Sequence, residues 1–132
     1  MGPVNWLAVV LGAAAFFGVG MLWYGLLFGK AWQKELWPEG TPKSTRSPAV
    51  LFGLCFLAEL VVAWTFGHML ARLQPPDHVI YMLAFGFGAT IMAPAVAINY
   101  LFQMRSLKLF VIDAGHVVVG MMAMGTVFAL MN

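Results

Sequence analysis

Residues 49–71 read AVLFGLCFLAELVVAWTFGHMLA, an apolar run whose only charged residue is Glu59. It is longer than the ~20 residues that an α-helix needs to cross the hydrocarbon of a bilayer. Its polarity does not alternate as a barrel strand would. Three more runs of the same kind lie at Trp6–Phe28, Val79–Leu101 and Leu109–Met131. Lipid offers the backbone no water, so each span must close its hydrogen bonds within itself, as a helix does. The sequence predicts an all-α membrane protein: four transmembrane helices in an antiparallel up-down bundle, one domain over residues 1–132.

Composition agrees. Of 132 residues, 62% are hydrophobic and 9% charged, and the mean hydropathy is +0.88. Ordinary globular chains are about 45–50% apolar and about 25% charged, and a body of this size buries only about two-thirds of its surface. So much apolar surface excludes a soluble enzyme, a nucleic-acid binder and a disordered chain. The lipid bilayer is the first partner. Cys55 is the one cysteine, so a single chain can form neither a disulfide framework nor a cysteine-based zinc site.

The breaks between runs set the orientation. Lys30, Lys34, Lys43 and Arg46 lie in the loop 29–48, and Arg105 and Lys108 beside the third break, while Arg72 stands alone on the other side. By the positive-inside rule the first and third loops face the cytoplasm and both termini lie outside. Trp23, Tyr24, Trp32, Trp37, Tyr100 and Phe102 fit an inner aromatic belt, and Trp6 and Tyr81 an outer one. Pro75 and Pro76 cannot continue a helix, so the second break is a tight hairpin. The first run is too long for a signal-peptide core and lacks a basic start, which makes it a retained helix.

Ionisable groups inside a span cost roughly 2.5–3.5 kcal/mol each at the helix centre. Glu59, Asp113 and His116 lie there. At 1.5 Å per residue, Asn99 lies about 3 Å from the cytoplasmic end, Asp113 about 6 Å, His116 about 10 Å and Glu59 about 15 Å. Asp113 and His116 share a helix face. If the helices face one another, the four groups form a polar ladder from the cytoplasm to the midplane, a pocket for a proton, a cation or a small solute. The plainer alternative is hydrogen bonding between helices, although such bonds average only about 0.6 kcal/mol. His116, Asp113 and Glu59 could offer three metal ligands, but no spacing demands an ion, and neither metal nor cofactor is expected. Pro94 removes a backbone bond to Thr90 and predicts a kink. His68 and His78 fit the outer interface, and the ten methionines fit gap-filling.

Small residues mark packing faces. Gly12 with Ala8, Gly88 with Ala84, and Gly120 on the fourth run allow close helix approach. These faces outnumber what one bundle needs, which predicts a homo-oligomer.

The chain combines Asn5-Trp6-Leu7-Ala8-Val9, Leu22-Trp23-Tyr24-Gly25 with Leu27-Phe28-Gly29-Lys30-Ala31-Trp32, and Asn99-Tyr100-Leu101-Phe102 running into Arg105-Ser106-Leu107-Lys108-Leu109-Phe110, with Asp113-Ala114-Gly115-His116 following. In these motifs the chain resembles the domain of unknown function 1761 family, small bacterial membrane proteins with four helices. The resemblance implies a multi-pass protein of the bacterial inner membrane, and it transfers no catalytic residue. Two classes of function remain. One is a small transport or sensing protein built on the pocket of Glu59, Asp113, His116 and Asn99. The other is a scaffold or accessory subunit for other membrane proteins, assembled through the glycine faces. An enzyme ranks third, since the chain has no HExxH and no phosphate-binding glycine loop.

Overall fold

Three of the four long helices start at a residue whose side chain caps them. The computed structural model describes residues 3–131; Met1, Gly2 and Asn132, the ends of the expected domain, lie outside the described residues. The Asn5 side chain accepts from the Ala8 amide at 3.0 Å and opens α1, Trp6–Leu22. Ser47 accepts from Val50 at 3.3 Å and opens α3, Pro48–Leu73, with Pro48 in the first turn, where its missing N–H is no loss. Ser106 accepts from Leu109 at 3.1 Å and opens α6, Leu107–Leu130. Gln74 ends α3 in the left-handed conformation at φ 45°, and Pro75 and Pro76 separate it from α4, Asp77–Gly86. Among the described residues there is no β-strand.

Two helices carry a wide turn. After α1 a π-helical segment covers Trp23–Leu27, and the Phe28 amide bonds to the Trp23 carbonyl at 2.7 Å. Gly29 follows where a Cβ would press into the Tyr24 carbonyl, so glycine permits the close approach. The third span passes from α4 through a π-helical segment, Phe87–Met92, into α5, Ala93–Phe102. This wide turn lies just ahead of Pro94, where a kink is expected, and the Thr90 hydroxyl bonds back to the Gly86 carbonyl at 2.5 Å. Such turns take up an extra residue without ending the helix.

The four long apolar helices are Trp6–Leu27, Pro48–Leu73, Asp77–Phe102 and Leu107–Leu130, close to the expected boundaries. The segment 29–48 differs: its first part is α2, Gly29–Leu36. Trp32, Glu35 and Leu36 are half-buried while Lys30 and Lys34 are exposed. Eight residues with three charges present no long apolar run, yet their apolar positions recur at helical spacing.

α6 lies at the centre. One side packs on α1, the other on α4, the Phe87–Met92 turn and α5, and α3 packs on α1. The shared core joins Phe16 of α1, Phe66 of α3, Ile80 of α4, and Met121, Met124 and Phe128 of α6. Leu7, Val10, Leu54, Leu57, Met82 and Ile98 instead point outward, as lipid-facing side chains do. Asn5 donates to the Met131 carbonyl at 3.0 Å. Gly12 faces Met124 and Phe128, Gly88 faces the Val118 backbone, and Gly120 faces the Phe16 ring. The three glycine faces therefore seat helices of one chain on each other, and they supply no separate argument for self-association.

α2 is tied to the start of α6. Ser106 donates to Glu35 at 2.8 Å, Lys108 lies 3.9 Å from Glu35, and Arg105 donates to the Leu36 carbonyl at 3.4 Å. Ser106→Ala removes both a helix cap and the link to α2. It is expected to lower stability by about 1 kcal/mol and to speed amide exchange across residues 30–36, as read by hydrogen-exchange mass spectrometry. Unchanged exchange there would show that α2 does not depend on this link.

Candidate functional site

The site begins in the second turn of α6, where Asp113 is buried at 8% exposure. Its two oxygens are each taken by a tyrosine: Tyr24 donates to Oδ1 and Tyr100 donates to Oδ2. Beside it, Trp23 Nε1 donates to the Ile112 carbonyl at 2.8 Å. The wide Trp23–Leu27 turn lets the adjacent Trp23 and Tyr24 both reach α6. Gly115 lies directly under the Trp23 ring, where a Cβ would collide with it. Asp113 is thus the point at which the first, third and fourth spans are bonded together through side chains.

One helical turn further, His116 stands edge-on to Tyr24, with ring centroids 4.9 Å apart, and to Phe16 at 5.3 Å. Its Nε2 is buried and has no hydrogen-bond partner among the described residues. Gly20 makes room for it, since a Cβ there would come within 3.1 Å of Nε2. A buried polar atom without a partner is rare and calls for an explanation.

His116 and Glu59 both line a cavity of about 450 Å³ between α1 and the first half of α3. Phe16, Phe17, Phe52 and Tyr24 make up much of the lining. α3 is the least enclosed of the four long helices, with 11% of its most apolar window buried against 33% for α6. That openness leaves the cavity beside it. The rim residues Met21, Phe52 and Cys55 are exposed on the apolar outside of the bundle.

Of the four residues expected in the ladder, Glu59 and His116 face one cavity. Asp113 sits behind them, joined to the wall through Tyr24. Asn99 is exposed and is not part of the cavity lining. The position of Asn99 along its helix was compatible with the ladder, but the Phe87–Met92 turn and Pro94 intervene, and helical phase cannot be carried through such a turn. Tyr24 and Tyr100, read from sequence as belt aromatics, are turned inward to Asp113. A tyrosine near the C-terminal end of each of two spans, with an acid near the start of the fourth, was the available signal. His68 lies near the C-terminal end of α3, in edge contact with Trp6 at 5.6 Å and with its Nδ1 2.9 Å from the Trp64 carbonyl. Among the described residues no three His, Cys, Asp or Glu side chains are grouped closely enough to hold a metal.

Compared with known proteins, residues 7–129 match the family described as Protein of unknown function (DUF1761). No curated protein and no solved structure matches the chain.

Proposed function

The chain belongs to the DUF1761 family, whose function is unknown, and we propose from its geometry that it binds a proton, a cation or a small solute in the cavity between α1 and α3, as a small transport or sensing protein. In this proposal the four spans run up and down through a bacterial inner membrane as a single domain, with both termini outside. Six of the seven lysines and arginines favour the cytoplasm for the end that carries α2 and Ser106. The bonds from Ser106 and Arg105 to α2 support placing the first and third loops on that one side. The cavity then occupies the cytoplasmic half of the bundle.

The observation that carries the proposal is a cavity whose lining brings together Glu59 and His116, the latter with a buried and unpartnered Nε2. Two titratable side chains from different helices converging on one largely apolar cavity are what a ligand site requires, and helix packing alone does not call for them.

Native mass spectrometry of the protein released from nanodiscs tests this. The wild type is expected to carry a reproducible small extra mass, and Glu59→Gln and His116→Ala to lose at least nine-tenths of it. Bare wild-type chains with loosely held lipid would overturn binding of a cation or a solute and move the search to proton uptake and to membrane partners.

A further inference from the structure

We infer that the cavity takes a lipophilic organic cation, an ammonium or phosphonium carried on apolar groups, which enters sideways from the bilayer. This rests on the cavity being a ligand site and names the class of ligand.

The walls exclude the other classes in turn. A hard inorganic cation such as calcium requires six to eight oxygen ligands. Glu59 and Tyr24 are the oxygen-bearing side chains in the lining, and the Tyr24 hydroxyl is already committed to Asp113. The rest of the wall is hydrocarbon, aromatic ring, a thiol and the His116 imidazole. An anion would meet Glu59, and the lining contains no lysine or arginine. A polar neutral solute would leave most of its hydrogen bonds unmade against Phe16, Phe17 and Phe52, a loss that binding would not recover.

A lipophilic cation meets each feature. Its charge supplies the counter-charge that Glu59 lacks within the cavity. Ring faces attract a desolvated cation, and the lining carries three phenylalanines and Tyr24. Phe17 stands edge-on to Phe52 at 6.0 Å, so the rings form a continuous wall. About 450 Å³ falls within the range of sites for drug-sized molecules, about 300–1,000 Å³. Exposed Met21, Phe52 and Cys55 at the rim open the cavity to the bundle's lipid-facing surface, where such a molecule partitions.

The test uses the full chain in phosphatidylcholine nanodiscs, with binding to empty nanodiscs subtracted. The probes are radiolabelled tetraphenylphosphonium and, for similar shape without charge, triphenylphosphine oxide. The wild type is expected to bind tetraphenylphosphonium saturably, one per chain, and triphenylphosphine oxide at least tenfold more weakly. Glu59→Gln is expected to weaken phosphonium binding at least tenfold and Glu59→Asp by no more than a few-fold, each with wild-type elution and melting. Ala58→Trp, which fills the cavity from α3, is expected to abolish binding. Equal affinity for the two probes, or undiminished binding by Glu59→Gln, overturns the cation assignment and leaves the cavity as a ligand site. Undiminished binding by Ala58→Trp shows that the cavity is not the site and removes both. Failure of the wild type to bind either probe overturns this inference alone, because the bound-mass measurement above decides the ligand site separately.

Discussion

Gly88→Leu is expected to force the third and fourth spans apart and to produce the largest loss of stability of any single substitution considered. A Cβ on Gly88 would meet the Val118 Cα at 2.8 Å and the Val117 carbonyl at 3.1 Å. Both are backbone atoms of α6, so no rotamer change can make room. Overpacking of a tight contact costs typically about 1–3 kcal/mol, sometimes more, and an unyielding backbone puts this case at about 3 kcal/mol or above. Gly120→Leu meets the Phe16 ring instead; a side chain can turn, and a smaller loss is expected. Gly18→Leu is the control, because a Cβ there meets nothing within 4 Å. Reversible unfolding in mixed micelles, or steric trapping in bicelles, would rank the three. If Gly88→Leu were as stable as Gly18→Leu, the seating of α6 against the third span would be wrong.

Asp113→Ala is expected to lower stability by roughly 2–3 kcal/mol, because it leaves two tyrosine hydroxyls without their acceptor. A buried donor deprived of its partner costs about 1–3 kcal/mol, but hydrogen bonds between membrane helices average only about 0.6 kcal/mol, with a maximum near 1.7. Two such bonds lost together fall between those limits. Asp113→Asn keeps one acceptor oxygen and adds donors that a tyrosine oxygen can accept, so it is expected to lose less than half as much. Tyr24→Phe and Tyr100→Phe should each be destabilising in the wild type and nearly silent in the Asp113→Ala background. A double-mutant cycle measures that coupling directly. Independent effects in the cycle would mean that the tyrosines do not bond to Asp113 in the membrane.

These two experiments probe different parts of the same design. Gly88 sets how closely two spans approach, while Asp113 sets which side chains meet once they have. The cavity depends on both. With α6 seated by Gly12, Gly88 and Gly120, and pinned by Tyr24 and Tyr100, α1 is held firmly to α6. Among the described residues the first half of α3 makes no side-chain hydrogen bond to another helix and meets α1 through Phe52 and Phe56 against Phe17, which leaves a cavity lined by Glu59 and His116.

The four spans were legible from sequence alone, because the apolar length needed to cross a bilayer is a local property of the chain. The break at Pro75–Pro76 was legible for the same reason: a proline acts on its own few residues. Glu59, Asp113 and His116 could be singled out as well, since an ionisable group in an apolar run stands out wherever it is. The partners of those groups were not legible. Asn99 fitted the expected ladder by depth but lies on the exterior, while Tyr24 and Tyr100, which resembled belt residues, bond to Asp113. Depth follows from counting residues; which face turns inward depends on rotation about the helix axis. The π-helical turns at Trp23–Leu27 and Phe87–Met92 reset that rotation at the end of the first span and midway along the third. The glycines show the same division. Their spacing announced close approach, but whether the approaching helix belonged to this chain or to another copy was decided only by the packing of α6 at the centre, where one helix takes up all three faces.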